Sequence, residues 1–163
     1  MKLRLIACAQ SHAVDQKSNN VSLFNLIEEL EPQGFPAVTP PFTFFVNVER
    51  SDRGEESAKM RLVVSLGGDV LSDGPFIVGF QGNPRARGFA EIAGIVLSKP
   101  GVLAFTLFNG TEKLGEWPIL VKPAAATQIE VAPPAKKAVP VAPKRVIFVK
   151  KKPPRKVLLK KKG

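Results

Sequence analysis

Apolar residues fall on every second position through several stretches of the first 121 residues, most clearly at Phe42, Phe44, Val46 and Val48 and at Met60, Leu62, Val64 and Leu66. A side-chain period of two belongs to a strand with one face buried. No stretch combines an N-cap, a sustained 3.6-residue period and good helix formers, so helix is excluded as the main element. Glycine, proline, asparagine and aspartate punctuate the pattern about every ten to fifteen residues, which is the spacing of a sandwich or barrel.

On this basis strands are expected over 2–9, 42–50, 59–66, 74–81, 87–97, 101–108 and 113–121. Residues 11–20 are polar and read as a loop or hairpin connection, and 31–41, with Pro32, Gly34, Pro36, Pro40 and Pro41, as a connection. A charged hairpin loop is expected around Gly54, and closing turns at Gly67-Gly68-Asp69, Gly82-Asn83-Pro84 and Lys99-Pro100-Gly101. Asn109-Gly110 is a tight-hairpin signal. Residues 21–30 read both ways. Val21, Leu23 and Ile27 suit a strand, while Leu23, Leu26, Ile27 and Leu30 share one helical face, and the β-branched and aromatic content favours strand. About eight strands in 121 residues predict an all-β fold, an antiparallel two-sheet sandwich of immunoglobulin-like architecture. Phe42, Phe44, Val46, Met60, Leu62, Val64, Phe105 and Leu107 are its expected core.

Charge divides the 163-residue chain in two. Residues 1–121 carry eleven Lys/Arg against thirteen Asp/Glu, a net of −2, and residues 122–163 carry thirteen against the single Glu130, a net of +12. Seven of the fifteen prolines also lie in those last 42 residues. So basic a segment, with so little apolar surface, has no means of building a core. The expected organisation is therefore a β-sandwich domain over 1–121 and a disordered Pro/Ala/Lys-rich tail over 122–163.

A resemblance is carried by Asn20-Val21-Ser22-Leu23-Phe24-Asn25, by Gly34-Phe35-Pro36-Ala37-Val38, and by Lys99-Pro100-Gly101 with Phe105-Thr106-Leu107 and Asn109-Gly110. Over residues 1–121 the chain resembles a family of small bacterial proteins known as a domain of unknown function. The resemblance implies a β-sandwich and strand over 21–27. It implies no activity and no site residues, and it does not cover the tail.

The lone Cys8 excludes an internal disulfide. Leu5-Ile6-Ala7-Cys8 has the small-residue pattern that precedes a lipid-modified cysteine. Only seven residues come before Cys8, however, and Arg4 interrupts them, whereas a signal peptide needs an apolar stretch of about 7–15 residues. No apolar run reaches the roughly 18 residues of a membrane helix, so a cytoplasmic protein is expected.

Candidates for chemistry are sparse, and no catalytic residue, metal ligand or cofactor is predicted. Cys8 and the only histidine, His12, would form a nucleophile pair only if thiol and imidazole met and a third group oriented the base. The carboxylates Glu28, Glu29 and Glu31, Asp52, Glu55 and Glu56, and Asp69 and Asp73 fall in expected loops without the alternating spacing of a calcium loop. Residues 79–88 are glycine-rich but lack the Gly-Lys-Ser/Thr ending of a phosphate loop. Arg85 and Arg87 within them are the body's candidate anion contacts.

The strongest functional signal is basic. Lys136 and Lys137, Lys144 and Arg145, Lys150, Lys151 and Lys152, Arg155 and Lys156, and Lys160, Lys161 and Lys162 form clusters spaced by Pro, Ala and Val. Proline keeps such a chain extended, so the clusters can track a polyanion, and counterion release then supplies affinity without sequence specificity. Nucleic acid is the expected partner. The apolar quartet Val146-Ile147-Phe148-Val149 keeps an anionic membrane surface open as an alternative. A protein partner docked on a sheet edge is a third reading, and an enzyme is not expected.

Overall fold

The computed structural model describes residues 1–51 and 56–124. The chain divides into two units, Met1–Ala126 and Thr127–Gly163, and the second lies outside the described residues, as do Asp52, Gly54 and Glu55. The first unit is all-β. Eight long strands are β1 (Lys2–Val14), β2 (Val21–Leu26), β5 (Phe42–Glu49), β6 (Ser57–Leu66), β7 (Asp69–Gly79), β8 (Arg85–Ile92), β10 (Gly101–Asn109) and β11 (Glu112–Val121). Three two-residue strands join them: β3 (Glu29–Leu30), β4 (Ala37–Val38) and β9 (Val96–Leu97).

The strands form two facing sheets, ordered β2-β1-β5-β8 and β3-β11-β10-β6-β7, with β4 and β9 paired separately. All ladders are antiparallel except the short β3–β11 pair, which is parallel. The ambiguous segment 21–30 is strand at both ends but crosses between the sheets at Ile27 and Glu28. The Ile27 amide donates to the Cys8 carbonyl of one sheet (2.9 Å), and the Leu120 amide of the other donates to the Glu28 carbonyl (2.8 Å). Trp117 Nε1–H donates to the Ile27 carbonyl at 2.8 Å and pins the crossover.

The alternating residues meet between the sheets as expected. Phe42, Phe44, Val46, Phe105 and Leu107 are almost wholly buried, with Met60 and Val64 beside them and Leu62 partly covered. The Phe105 ring stacks on Phe44 at 5.6 Å and meets Phe42 edge-on at 5.7 Å, so aromatic contact bridges the two sheets. The inner face of β8 carries small residues, Ala86, Gly88 and Ala90, because β7 lies close. A Cβ at Gly88 would sit 2.6 Å from Val78 Cγ2 and 2.7 Å from Phe76 Cε1.

Several boundaries differ from the sequence reading. β7 begins at Asp69 because Gly67-Gly68, both at positive φ, make the whole turn, so Asp69 and Asp73 belong to a strand rather than a loop. The tight hairpin between β10 and β11 turns at Gly110 and Thr111, one residue later than expected, with Asn109 paired to Glu112. Backbone hydrogen bonding also runs past residue 121, from the Lys122 amide to Leu30 and the Ala124 amide to Pro32.

The largest departure concerns β1, which continues as strand through Ser11–Val14 where a polar loop or hairpin connection was expected. Its pairing with β5 ends at Ala9 opposite Thr43, while its pairing with β2 runs on to Val14 opposite Val21. Asn25, at φ 54°, donates through its side chain to Gln10 where the two ladders part. Beyond that point the β1–β2 hairpin folds over the outer face of the first sheet. His12 stacks on Phe89 at 4.5 Å, and Arg87 donates to the Asn19 carbonyl at 2.5 Å. Ala7, Ala9, Thr43 and Phe45, which point away from the main core, are each at most 3% exposed beneath this cover.

Candidate functional site

All twelve tail cations singled out above, from Lys136 to Lys162, lie outside the described residues. The described unit nevertheless brings several candidates together or keeps them apart. Cys8 belongs to the main core, between the sheets, while His12 sits on the opposite face against Phe89. The thiol and the imidazole therefore do not meet. Burial pushes the Cys8 thiol up to about 12, so it stays protonated and unreactive at neutral pH. A thiol reagent added to the native protein should accordingly label Cys8 only at the rate of unfolding, and prompt labelling in native buffer would contradict this burial.

His12 is the hub of a small polar cluster. Its Nδ1 lies 3.2 Å from Thr43 Oγ1 and 3.5 Å from Glu91 Oε1, and Thr43 Oγ1 donates to that carboxylate at 3.1 Å. This cluster ties the hairpin to β5 and β8. At the hairpin tip Asp15 accepts from the Ser18 amide (2.6 Å), the Ser18 hydroxyl (2.8 Å) and the Lys17 amide (3.0 Å). These hydrogen bonds, that from the Ser18 amide foremost, hold its carboxyl below the usual aspartate range. The charged form shapes the turn that presents Asn19 and Asn20.

The expected loop carboxylates are dispersed among cation partners: Asp69 with Lys99 at 2.6 Å, Asp73 with Arg61 at 3.7 Å, and Glu29 with Lys122 at 2.8 Å. Among the described residues no group of three or more His, Cys, Asp or Glu could hold a metal ion. No described helix is long and apolar enough to cross a membrane.

Two cavities stand out. The first, about 560 Å³, opens in the seam between the edge strands β7 and β8, where these diverge beyond Gly88. Leu62, Leu71, Phe76, Ile92, Ile95 and Val96 make its walls apolar. The second, about 540 Å³, lies under the hairpin tip. Arg85 and Arg87 meet there with Asn47 and Glu49 of β5, because the pairs Asn47–Arg87 and Glu49–Arg85 are directly opposite in the ladder. Glu49 stands between two guanidiniums, Arg85 at 3.1 Å and Arg4 at 3.4 Å. Among the described residues Arg87 meets only a neutral carbonyl, so this corner carries a surplus of positive charge. The Oδ1 of Asn47 is buried without a hydrogen-bond partner among the described residues.

The sequence had marked Arg85 and Arg87 but not the asparagines that join them. Asn19, Asn20, Asn47 and Asn83 converge only because the hairpin folds over the sheet, and no spacing along the chain announces that. No family model matches the chain, and neither the curated proteins nor the solved structures include one similar to it.

Proposed function

We propose that this protein is a non-enzymatic, cytoplasmic binding module that holds polyanions, nucleic acid foremost, through its basic C-terminal segment and without sequence specificity. The observation that carries this reading is the segregation of charge: +12 over residues 122–163 against −2 over residues 1–121. Dispersed lysines would serve solubility. Twelve cations gathered into prolyl-spaced clusters instead suit a phosphate backbone.

A membrane surface is the second reading, favoured by the apolar quartet at 146–149 among the basic clusters. Each basic residue near anionic lipid contributes about 1 kcal/mol, and an apolar quartet adds insertion. The two readings part at Phe148. Electrophoretic shift on duplex DNA and sedimentation with anionic vesicles, run in parallel on the full chain and on Phe148→Ala, separate them. DNA binding should survive the substitution unchanged. A large loss on vesicles, with no DNA shift in the parent chain, would transfer the function to the membrane.

A further inference from the structure

We propose that the cleft under the hairpin tip is a binding site for a sugar phosphate, formed by Arg85, Arg87 and Asn47 and roofed by Asn19 and Asn20. The site belongs to the folded domain and does not depend on the basic tail.

The chemistry follows from what the cleft offers and what it lacks. Arg87 spends one N–H on the Asn19 carbonyl, and Arg85 spends its Nε on Glu49. The two side chains border the same cavity from neighbouring outward positions of β8, each with N–H groups to spare. Two guanidiniums so placed suit the oxygens of a phosphate, for which the guanidinium fork is shaped. Arg4 and Arg85 share the single carboxylate of Glu49 while Arg87 meets a neutral carbonyl, and a phosphate dianion balances that surplus.

The floor asks for something else. Asn47 Oδ1 is an acceptor without a donor, a deficit that costs about 1–3 kcal/mol in a folded protein. The terminal torsion of an asparagine is soft, so a small turn of the amide presents this oxygen to the cavity. The phosphoryl dianion of a phosphomonoester brings no donor to satisfy it, but the sugar hydroxyls of the same molecule do. Glu49 offers a second acceptor nearby, and the amides of Asn19, Asn20 and Asn83 offer donors and acceptors to further hydroxyls. A cleft of about 540 Å³ falls within the range of small-ligand pockets.

The test titrates the full chain with ribose 5-phosphate, with inorganic phosphate and with ribose, following backbone amide shifts. Ribose 5-phosphate should perturb residues 18–20, 47, 83 and 85–87 and bind more tightly than inorganic phosphate, with ribose weakest. Arg87→Ala should weaken ribose 5-phosphate roughly tenfold to a hundredfold, the worth of charge-assisted hydrogen bonds. Because Arg87 also holds the hairpin tip, Arg85→Ala and Asn47→Leu serve as companions. Arg85→Ala should weaken both phosphates, and Asn47→Leu should weaken ribose 5-phosphate but not inorganic phosphate.

Lys150→Ala, Lys151→Ala and Lys152→Ala together should leave this titration unchanged while weakening DNA. Failure at the cleft with DNA binding intact thus overturns the cleft alone. Competition by a 5′-phosphorylated oligonucleotide would identify the sugar phosphate as a nucleic-acid end, and lack of competition as a free metabolite. Absence of shifts at the named amides, or equal affinity of parent, Arg85→Ala and Asn47→Leu, would overturn the proposal.

Discussion

If the basic segment holds duplex DNA as proposed, raising the salt from about 50 to about 200 mM should weaken that hold about a thousandfold. The figure follows from six of the thirteen cations in residues 122–163 each neutralising a phosphate. Each contributes about −0.9 to the slope of log K against log salt, giving a slope near −5, and the salt change is roughly fourfold. Anisotropy of a labelled duplex across the salt series measures it. Replacing Lys150, Lys151 and Lys152 together by alanine should flatten the slope by up to about three units, and shuffling the order of the cations should leave it unchanged. A binding constant flat across the series would remove the electrostatic mechanism altogether.

The second large effect is on folding. Phe105→Ala should lower stability by about 3–5 kcal/mol, the cost of emptying a buried aromatic site. Phe105 is wholly buried, and its ring touches both Phe42 and Phe44 across the gap between the sheets. No single neighbour can collapse into the space it leaves. A domain of this size is stable by about 5–15 kcal/mol, and 1 kcal/mol moves its midpoint by roughly 4 °C. A fall of roughly 12–20 °C in a thermal melt is therefore expected. Phe24→Ala offers the contrast, because that ring is about half exposed and its loss should be nearly neutral. A Phe105→Ala midpoint within a few degrees of the parent would mean that this aromatic contact does not hold the sheets together.

What could be read beforehand was whatever one strand declares by itself. Phe42, Phe44 and Val46 alternate because one face of β5 meets the other sheet, and the structure places them in the core. The lower half of β7 was hidden because an edge strand open to water on both sides carries Asp69, Ser72 and Asp73, the same residues that make loops. Ser11–Val14 was hidden for a related reason, since a hairpin lying over a sheet keeps its upper side wet. One signal of that cover was present: Phe45 directly follows Phe44, and Thr43 and Phe45 are buried on the face opposite the core. Apolar residues on both parities mark a strand covered on both sides. The asparagine-lined cleft had no such signal, because its residues come from three places in the chain and meet only through that fold-over.

The crossover pinned by Trp117 decides what the molecule's own light can report. The chain has one tryptophan and no tyrosine, so its intrinsic fluorescence comes almost wholly from a single indole. That indole donates to the Ile27 carbonyl, where the chain passes from one sheet to the other. Its emission follows the integrity of this passage and serves as a sensor of global unfolding. The arginine cleft lies on the outer face of the other sheet, under a hairpin whose only rings are imidazole and phenyl. Occupancy there leaves the indole dark to the event, and an unchanged emission spectrum on adding a sugar phosphate is the expected companion of a filled site.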